Sequence, residues 1–250
     1  MRRGGWPVLL AVVLLTVACA RSGPGPARVV APTTVAVPVT APAPPPPPPP
    51  PPKAVVATAR AAEVAVYDAP GAAAPLRSFS HPNELGEPRV FLVRDVQGDW
   101  LNVLLPARPN GSTGWLRAAD VTLAEHDWRI EVALGAHRLT VWKGGELVRE
   151  ETVAVGMPAA PTPTGDFYLT ELLDTGNPRG PYGPWAFGLS AYSEVYTSFA
   201  GGPGQVGLHG TNQPGALGTD ASHGCIRLAN EAITALSEQV PVGTPIKIVP

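Results

Sequence analysis

Three side chains able to do covalent chemistry crowd into one stretch, residues 206–230, which reads V-G-L-H-G-T-N-Q-P-G-A-L-G-T-D-A-S-H-G-C-I-R-L-A-N and holds His209, His223 and Cys225. A thiolate is the nucleophilic form of cysteine, and a free thiol near neutral pH is mostly protonated. A neighbouring imidazole can take the proton, and a cation such as Arg227 favours the charged sulfur. Gly224 removes a side chain beside the sulfur, and the N–H groups of Gly224 and Cys225 are candidates for stabilising a tetrahedral oxyanion. Two blander readings compete. A lone cysteine is usually a small buried hydrophobe. Alternatively His209, His223 and Cys225 are zinc ligands, although a structural zinc site wants four ligands in paired spacings. Cys19 is too remote to be the fourth, and Asp220 is the one nearby acid. A cysteine flanked by His, Gly and Arg favours the nucleophile, with no metal and no organic cofactor.

The flanking pattern says how these groups are positioned. As a strand, Val206-Gly207-Leu208-His209 puts Val206 and Leu208 on one face and His209 on the other. In residues 223–228, His223, Cys225 and Arg227 share one face, and Gly224, Ile226 and Leu228 share the opposite one. Each run offers an apolar side to a core and a reactive side to a cleft. Between them lie the turn formers Gly210, Asn212, Pro214, Gly215, Gly218 and Asp220, a connection that lets two strands bring His209 to Cys225.

The pair His209-Gly210 followed by Ser222-His223-Gly224-Cys225 resembles the catalytic motif of the L,D-transpeptidases of YkuD type. Ile226 is the expected apolar residue, and Arg227 stands where versions of the motif place Asn or Arg. The turn at residues 161–165, P-T-P-T-G, is similar to one that follows the first hairpin in that family, and the likeness extends over roughly residues 127–249. The resemblance implies a peptidoglycan cross-linking enzyme in which Cys225 attacks a stem-peptide carbonyl, His209 is the acid/base, and His223 orients the site. Arg227 is expected to steady the cleft by its charge or to bind a substrate carboxylate, and Ser222 to hydrogen-bond within the motif or, with Thr211, to contact substrate. The Pro- and Gly-rich loop at 177–185 offers Tyr182 and Trp185 as candidates to line the cleft or, equally, to cap the core. The same site could use water as acceptor, as an L,D-carboxypeptidase, or a lysine of another protein. From a different class, the chain could be a non-catalytic wall-binding lipoprotein.

The rest of the 250 residues must carry this site. The net charge of −2, without a basic block, argues against nucleic acid as a partner. Residues 1–19 read as a secretory leader, with Arg2 and Arg3 ahead of an apolar segment too short to span a bilayer. Thr16-Val17-Ala18-Cys19 resembles a lipoprotein processing site, so Cys19 is a lipidation candidate, with plain cleavage after Ala18 or Ala20 as the alternative. Either way Cys225 keeps no disulfide partner, and an odd cysteine in an exported chain points to a reactive thiol or an intermolecular bridge. A Pro-rich linker is expected over 20–59, with nine consecutive prolines at 44–52 that would extend as polyproline II.

Short apolar runs broken by turn signals over 60–125 predict a small β-barrel. Asp99-Trp100-Leu101-Asn102-Val103 and Gly114-Trp115-Leu116 look like a bacterial Src-homology-3-type module, with Trp100 expected in its core. From 127 to 250 a β-rich catalytic domain follows, with a hairpin at residues 143–146. Its one clear helix, 231–239, is expected to be capped by Asn230 and to bury Ala232, Ile233, Leu236 and Val240. The expected whole is a mainly β, monomeric, exported protein acting on peptidoglycan stem peptides outside the cytoplasmic membrane.

Overall fold

The computed structural model of the protein describes residues 52–199 and 201–250. The leader, Cys19 and nearly all of the proline tract lie outside the described residues. The N-terminal half is built from β1 (Ala54–Ala59), β2 (Glu63–Val66), β3 (Arg77–Ser80), β4 (Val90–Gln97), β5 (Trp100–Leu104), β6 (Thr113–Arg117) and β7 (Val121–His126). Five of these form an antiparallel sheet in the order β6-β5-β4-β1-β7, and β2 and β3 form a separate hairpin. Ala57 faces Phe91 on one side and Leu123 on the other, so β1 is interior to the sheet. This corrects the expected linker boundary: residues 54–59, rich in Ala and Val, form a strand because their alternating side chains fill the core beneath β4 and β7. Trp100 also departs from expectation. It is half-buried, its ring edge against Tyr67 at 5.1 Å with the Arg117 guanidinium over it, and Leu101, Val103 and Leu116 fill the core instead.

The second half adds β8 (Trp128–Ala133), β9 (Arg138–Lys143), β10 (Glu146–Thr152), β11 (Val155–Gly156), β12 (Gly165–Asp174), β13 (Trp185–Tyr192), β14 (Gln205–His209), β15 (Asp220–Ser222), β16 (Ile226–Arg227), α1 (Asn230–Gln239) and β17 (Pro245–Val249). Eight strands form one sheet in the order β10-β9-β8-β17-β12-β13-β14-β16. Their sequences alternate as half-buried strands should: Ile130 and Val132 of β8, and Ile246 and Ile248 of β17, point into the core. The β9–β10 turn closes through Gly144 and Gly145, at φ of 60° and 90°, the left-handed pair that a two-residue hairpin needs. Ala232, Ile233 and Leu236 of α1 and the following Val240 are buried, as their spacing predicts. The helix is capped differently from expectation, however. Ala229 is the N-cap and makes no side-chain bond, while the Asn230 amide reaches out to two loops.

Both halves belong to one compact unit. Tyr168 of β12, fully buried, packs among Val56, Val90, Leu92 and Leu104 of the N-terminal sheet and donates its hydroxyl to Val90 O at 3.0 Å. A second seam lies at the end of β13. There the Asn110 amide imitates a strand partner, donating to Tyr192 O and accepting from Tyr192 N, each at 2.8 Å. Beside it the Arg108 guanidinium donates to the carbonyls of Pro203, Ser193 and Tyr196 at 2.8–3.0 Å. The connection between β5 and β6 thereby grips Tyr192, Ser193, Tyr196 and Pro203, between the end of β13 and the start of β14.

Candidate active site

The site is organised by β14. Val206 and Leu208 go into the core, as alternation requires, while Gln205, Gly207 and His209 line the other face. Strand β16 pairs with β14 in parallel, Leu208 opposite Ile226 and His209 opposite Arg227. The loop between them therefore returns over the sheet rather than closing a hairpin, and sets Cys225 against Gly207. The Gly207 N–H points at Cys225 Sγ, 3.4 Å away. A point one bond above Gly207, where a side chain would begin, is 3.6 Å from His209 Cδ2 and 4.0 Å from Cys225 Sγ. Glycine at 207 thus leaves open the gap between imidazole and sulfur. This residue was missed in the sequence; its signal was a glycine on the reactive face of an otherwise apolar–polar alternation.

His209 is 3% exposed, and its Nδ1 donates to Gly210 O at 2.6 Å. That bond fixes the tautomer and leaves Nε2 unprotonated. The Tyr182 ring stands edge-on to the imidazole, with 4.8 Å between centroids. Burial, helped by the nearby Arg227 charge and opposed by the Gly210 bond, lowers the His209 pKa to about 4. The Cys225 thiol moves the opposite way. Burial pushes it up, and the Gly207 N–H and Arg227 only partly offset that. Arg227 does favour the charged sulfur, as expected, but desolvation outweighs it, and the resting pair is neutral thiol and neutral imidazole.

The remaining sequence candidates sort clearly. Tyr182 lines the cleft. Ser222 is fully buried and staples the turn, donating to Cys225 O at 2.6 Å and accepting from Gly224 N at 3.0 Å. Its hydroxyl is thus spent within the motif, and Ser222 is not among the residues lining the cleft. The Gly224 N–H is already bonded to Ser222 and so is not a free oxyanion donor. Gly224 itself, at φ 119°, makes the turn possible, and its carbonyl accepts from Thr162 Oγ1. Thr211 is not among the cleft-lining residues, and its N–H donates to Asn230 Oδ1 at 2.8 Å, making it a loop strut. Trp185 packs on the core and is not among the cleft-lining residues. Arg227 donates to Gln213 Oε1 at 3.4 Å. His223 is exposed, its ring 5.5 Å from Phe199 and 6.0 Å from Tyr196.

The cleft holding His209 and Cys225 has a volume of about 550 Å³, within the usual range for small-molecule sites. Part of its wall comes from the N-terminal half, with Asn83, Glu84 and Arg89 facing Glu171 and Gln205. Nothing in the sequence pointed there, because these residues are far apart in the chain and carry no motif.

Residues 127–248 match the family described as YkuD: L,D-transpeptidase catalytic domain. A Bacillus subtilis protein, YkuD, assigned as an L,D-transpeptidase, is 31% identical over 169 residues, covering 61% of this chain and 94% of that protein. L,D-transpeptidase 1 of Mycobacterium tuberculosis is 28% identical over 123 residues, covering 47% of this chain and 48% of its own. A crystal structure of a Cys-to-Ser mutant of the Enterococcus faecium L,D-transpeptidase is similar at 26% identity and a TM-score of 0.38, over 49% of this chain and 50% of that one. The chain thus spans nearly all of the first relative and about half of the other two.

Proposed function

The chain belongs to the L,D-transpeptidase family, and from that premise we propose that it is an exported enzyme joining peptidoglycan stems through a thioester on Cys225. The observation that carries this reading is the placing of His209 and Cys225 on either side of the Gly207 gap, in a cleft open to a peptide. The thiol attacks the carbonyl that precedes the terminal D-residue of a tetrapeptide stem, and His209 Nε2 takes the thiol proton. The Cys225 N–H is the donor nearest the oxyanion that forms. His209 returns the proton to the departing D-amino acid, leaving a thioester. The side-chain amine of a second stem then attacks, His209 accepts its proton, and the thiol is regenerated with a 3→3 cross-link formed. His223 acts on this site through the loop it packs against, and Arg227 through its charge.

Incubation with a disaccharide-tetrapeptide fragment, followed by mass spectrometry, tests this directly. The expected products are a cross-linked dimer one D-residue short and an acylated Cys225. Tripeptide alone would mean that water is the acceptor. No product and no adduct would remove the catalytic reading and leave a wall-binding module. Export and anchoring rest on the leader pattern; a palmitate analogue should label Cys19 and fail to label Cys19→Ser.

A further inference from the structure

The cleft is longer than the catalytic pair needs, and its second part is built of buried polar groups. Gln205, Gly207 and His209 alternate along one face of β14, so Gln205 stands about 7 Å beyond Gly207, where the sulfur rests. Gln205 Nε2 donates to Glu171 Oε1 at 2.9 Å. On the other side, Asn83 Nδ2 donates to Glu171 Oε2 at 3.1 Å. Asn83 is itself fixed, its Oδ1 accepting the N–H groups of Leu85 and Glu87. Glu171 is 4% exposed and Asn83 7%. Gly188 on the neighbouring strand clears space for the carboxyl, since any side chain there would collide with Glu171 Oε1.

A carboxyl so enclosed needs a reason. Each of its oxygens takes one amide N–H and keeps a second acceptor direction. Of the charges nearby, Arg89 is already engaged: its Nη2 donates to Glu84 Oε2 at 2.6 Å and its Nε to Ser80 O. Burial raises the Glu171 pKa above the usual carboxylate range, only partly opposed by hydrogen bonds from Thr170 and Gln205 and by the Arg89 charge. The end of the cleft therefore presents acceptors, with two carboxyl groups, Glu84 and Glu171, against the single guanidinium of Arg89. The group that complements it is a hydrogen-bond donor carrying positive charge.

We propose that Asn83, Glu171 and Gln205 form a specificity subsite, shared by the two halves of the chain, for the side-chain ammonium of the acyl-donor residue whose carbonyl Cys225 attacks. The reach agrees. An amine at the end of a four-carbon side chain stands about 6 Å from its Cα, close to the spacing along β14 from Gly207 to Gln205. This rests on the stem-peptide reading above and deepens it: the amine-bearing residue is recognised on the donor strand as well as consumed on the acceptor.

The test compares two tetrapeptide donors, one with its side-chain amine free and one N-acetylated, by single-turnover acylation of Cys225. The wild-type protein should acylate from the free-amine donor at least about tenfold more efficiently, and Glu171→Gln and Asn83→Ala should each bring that ratio to within about twofold. Carbapenem labelling of Cys225 on the same preparations reports whether each variant retains a folded site. Equal use of both donors by wild type overturns the proposal even if neither variant folds, and so does a preference that survives in folded variants. If neither peptide acylates wild type while the carbapenem does, the stem-peptide reading itself has failed, and the subsite with it.

Discussion

The two flanks of Cys225 carry the same residue type in the same local context, a histidine followed by glycine, and the fold makes them into different things. His209 is buried in a strand, with its tautomer fixed by Gly210 and its ring held by Tyr182. His223 sits in the turn before the nucleophile, exposed against Tyr196 and Phe199. Adjacency in sequence to the cysteine favours His223. Register in the sheet favours His209, because β14 and β16 run in parallel with Gly207 as the open position between them. Which imidazole lies beside the sulfur is decided by strand pairing, not by distance along the chain, and on the proposed reading that imidazole is the base.

That contrast can be broken most severely at the base. His209→Ala should slow acylation of Cys225 by about 10²–10⁴-fold, whereas His223→Ala should cost at least about tenfold less; stopped-flow acylation by a carbapenem measures both. Equal losses would dissolve the distinction between the flanks. Acid should sharpen it. With the His209 pKa at about 4, acylation should persist through mildly acidic pH and fall as pH drops through about 4. Stability follows the same sign. The unfolded chain protonates this imidazole near its ordinary 6.5 and the folded one only near 4. Native stability is therefore lost progressively between those values as pH falls, by up to about 3 kcal/mol. Denaturant melts of wild type and His209→Gln at pH 4 and 7 should show the wild-type loss and its reduction in the variant.

Smaller effects are expected farther out. Arg108→Ala removes three bonds to the carbonyls of 193–203 and should lower stability by about 2 kcal/mol, with faster amide exchange across 193–199 and a milder loss of acylation than His209→Ala. Gly207→Ala meets only ordinary contacts, so it should fold normally. It should nonetheless slow acylation by about tenfold by filling the space between base and sulfur.

Much of this was written locally. Alternation in Val206-Gly207-Leu208-His209 gave the strand and its reactive face, and Gly144-Gly145 gave the hairpin. The spacing of Ala232, Ile233 and Leu236 gave the buried side of the helix. The misreadings share a cause: polar groups were given to substrate, an oxyanion or a helix cap when other hydrogen bonds had already claimed them. Ser222 closes the nucleophile turn, Thr211 and Asn230 hold two loops together, and the Gly224 N–H is bonded within its own turn. The wall of Asn83, Glu171 and Gln205 was invisible for another reason. It joins positions 83, 171 and 205, and only tertiary packing makes them neighbours. Burial likewise decided the charge state of Cys225, which no neighbouring residue type could reveal.

The Asn110 amide that completes the end of β13 has a consequence for how such chains are divided or exchanged. Cutting the polypeptide ahead of Trp128 would leave Tyr192 without its borrowed partner and the approach to the nucleophile without one bank. A transplant of the catalytic sheet onto another N-terminal module would keep its shape only if that module brought an equivalent clasp.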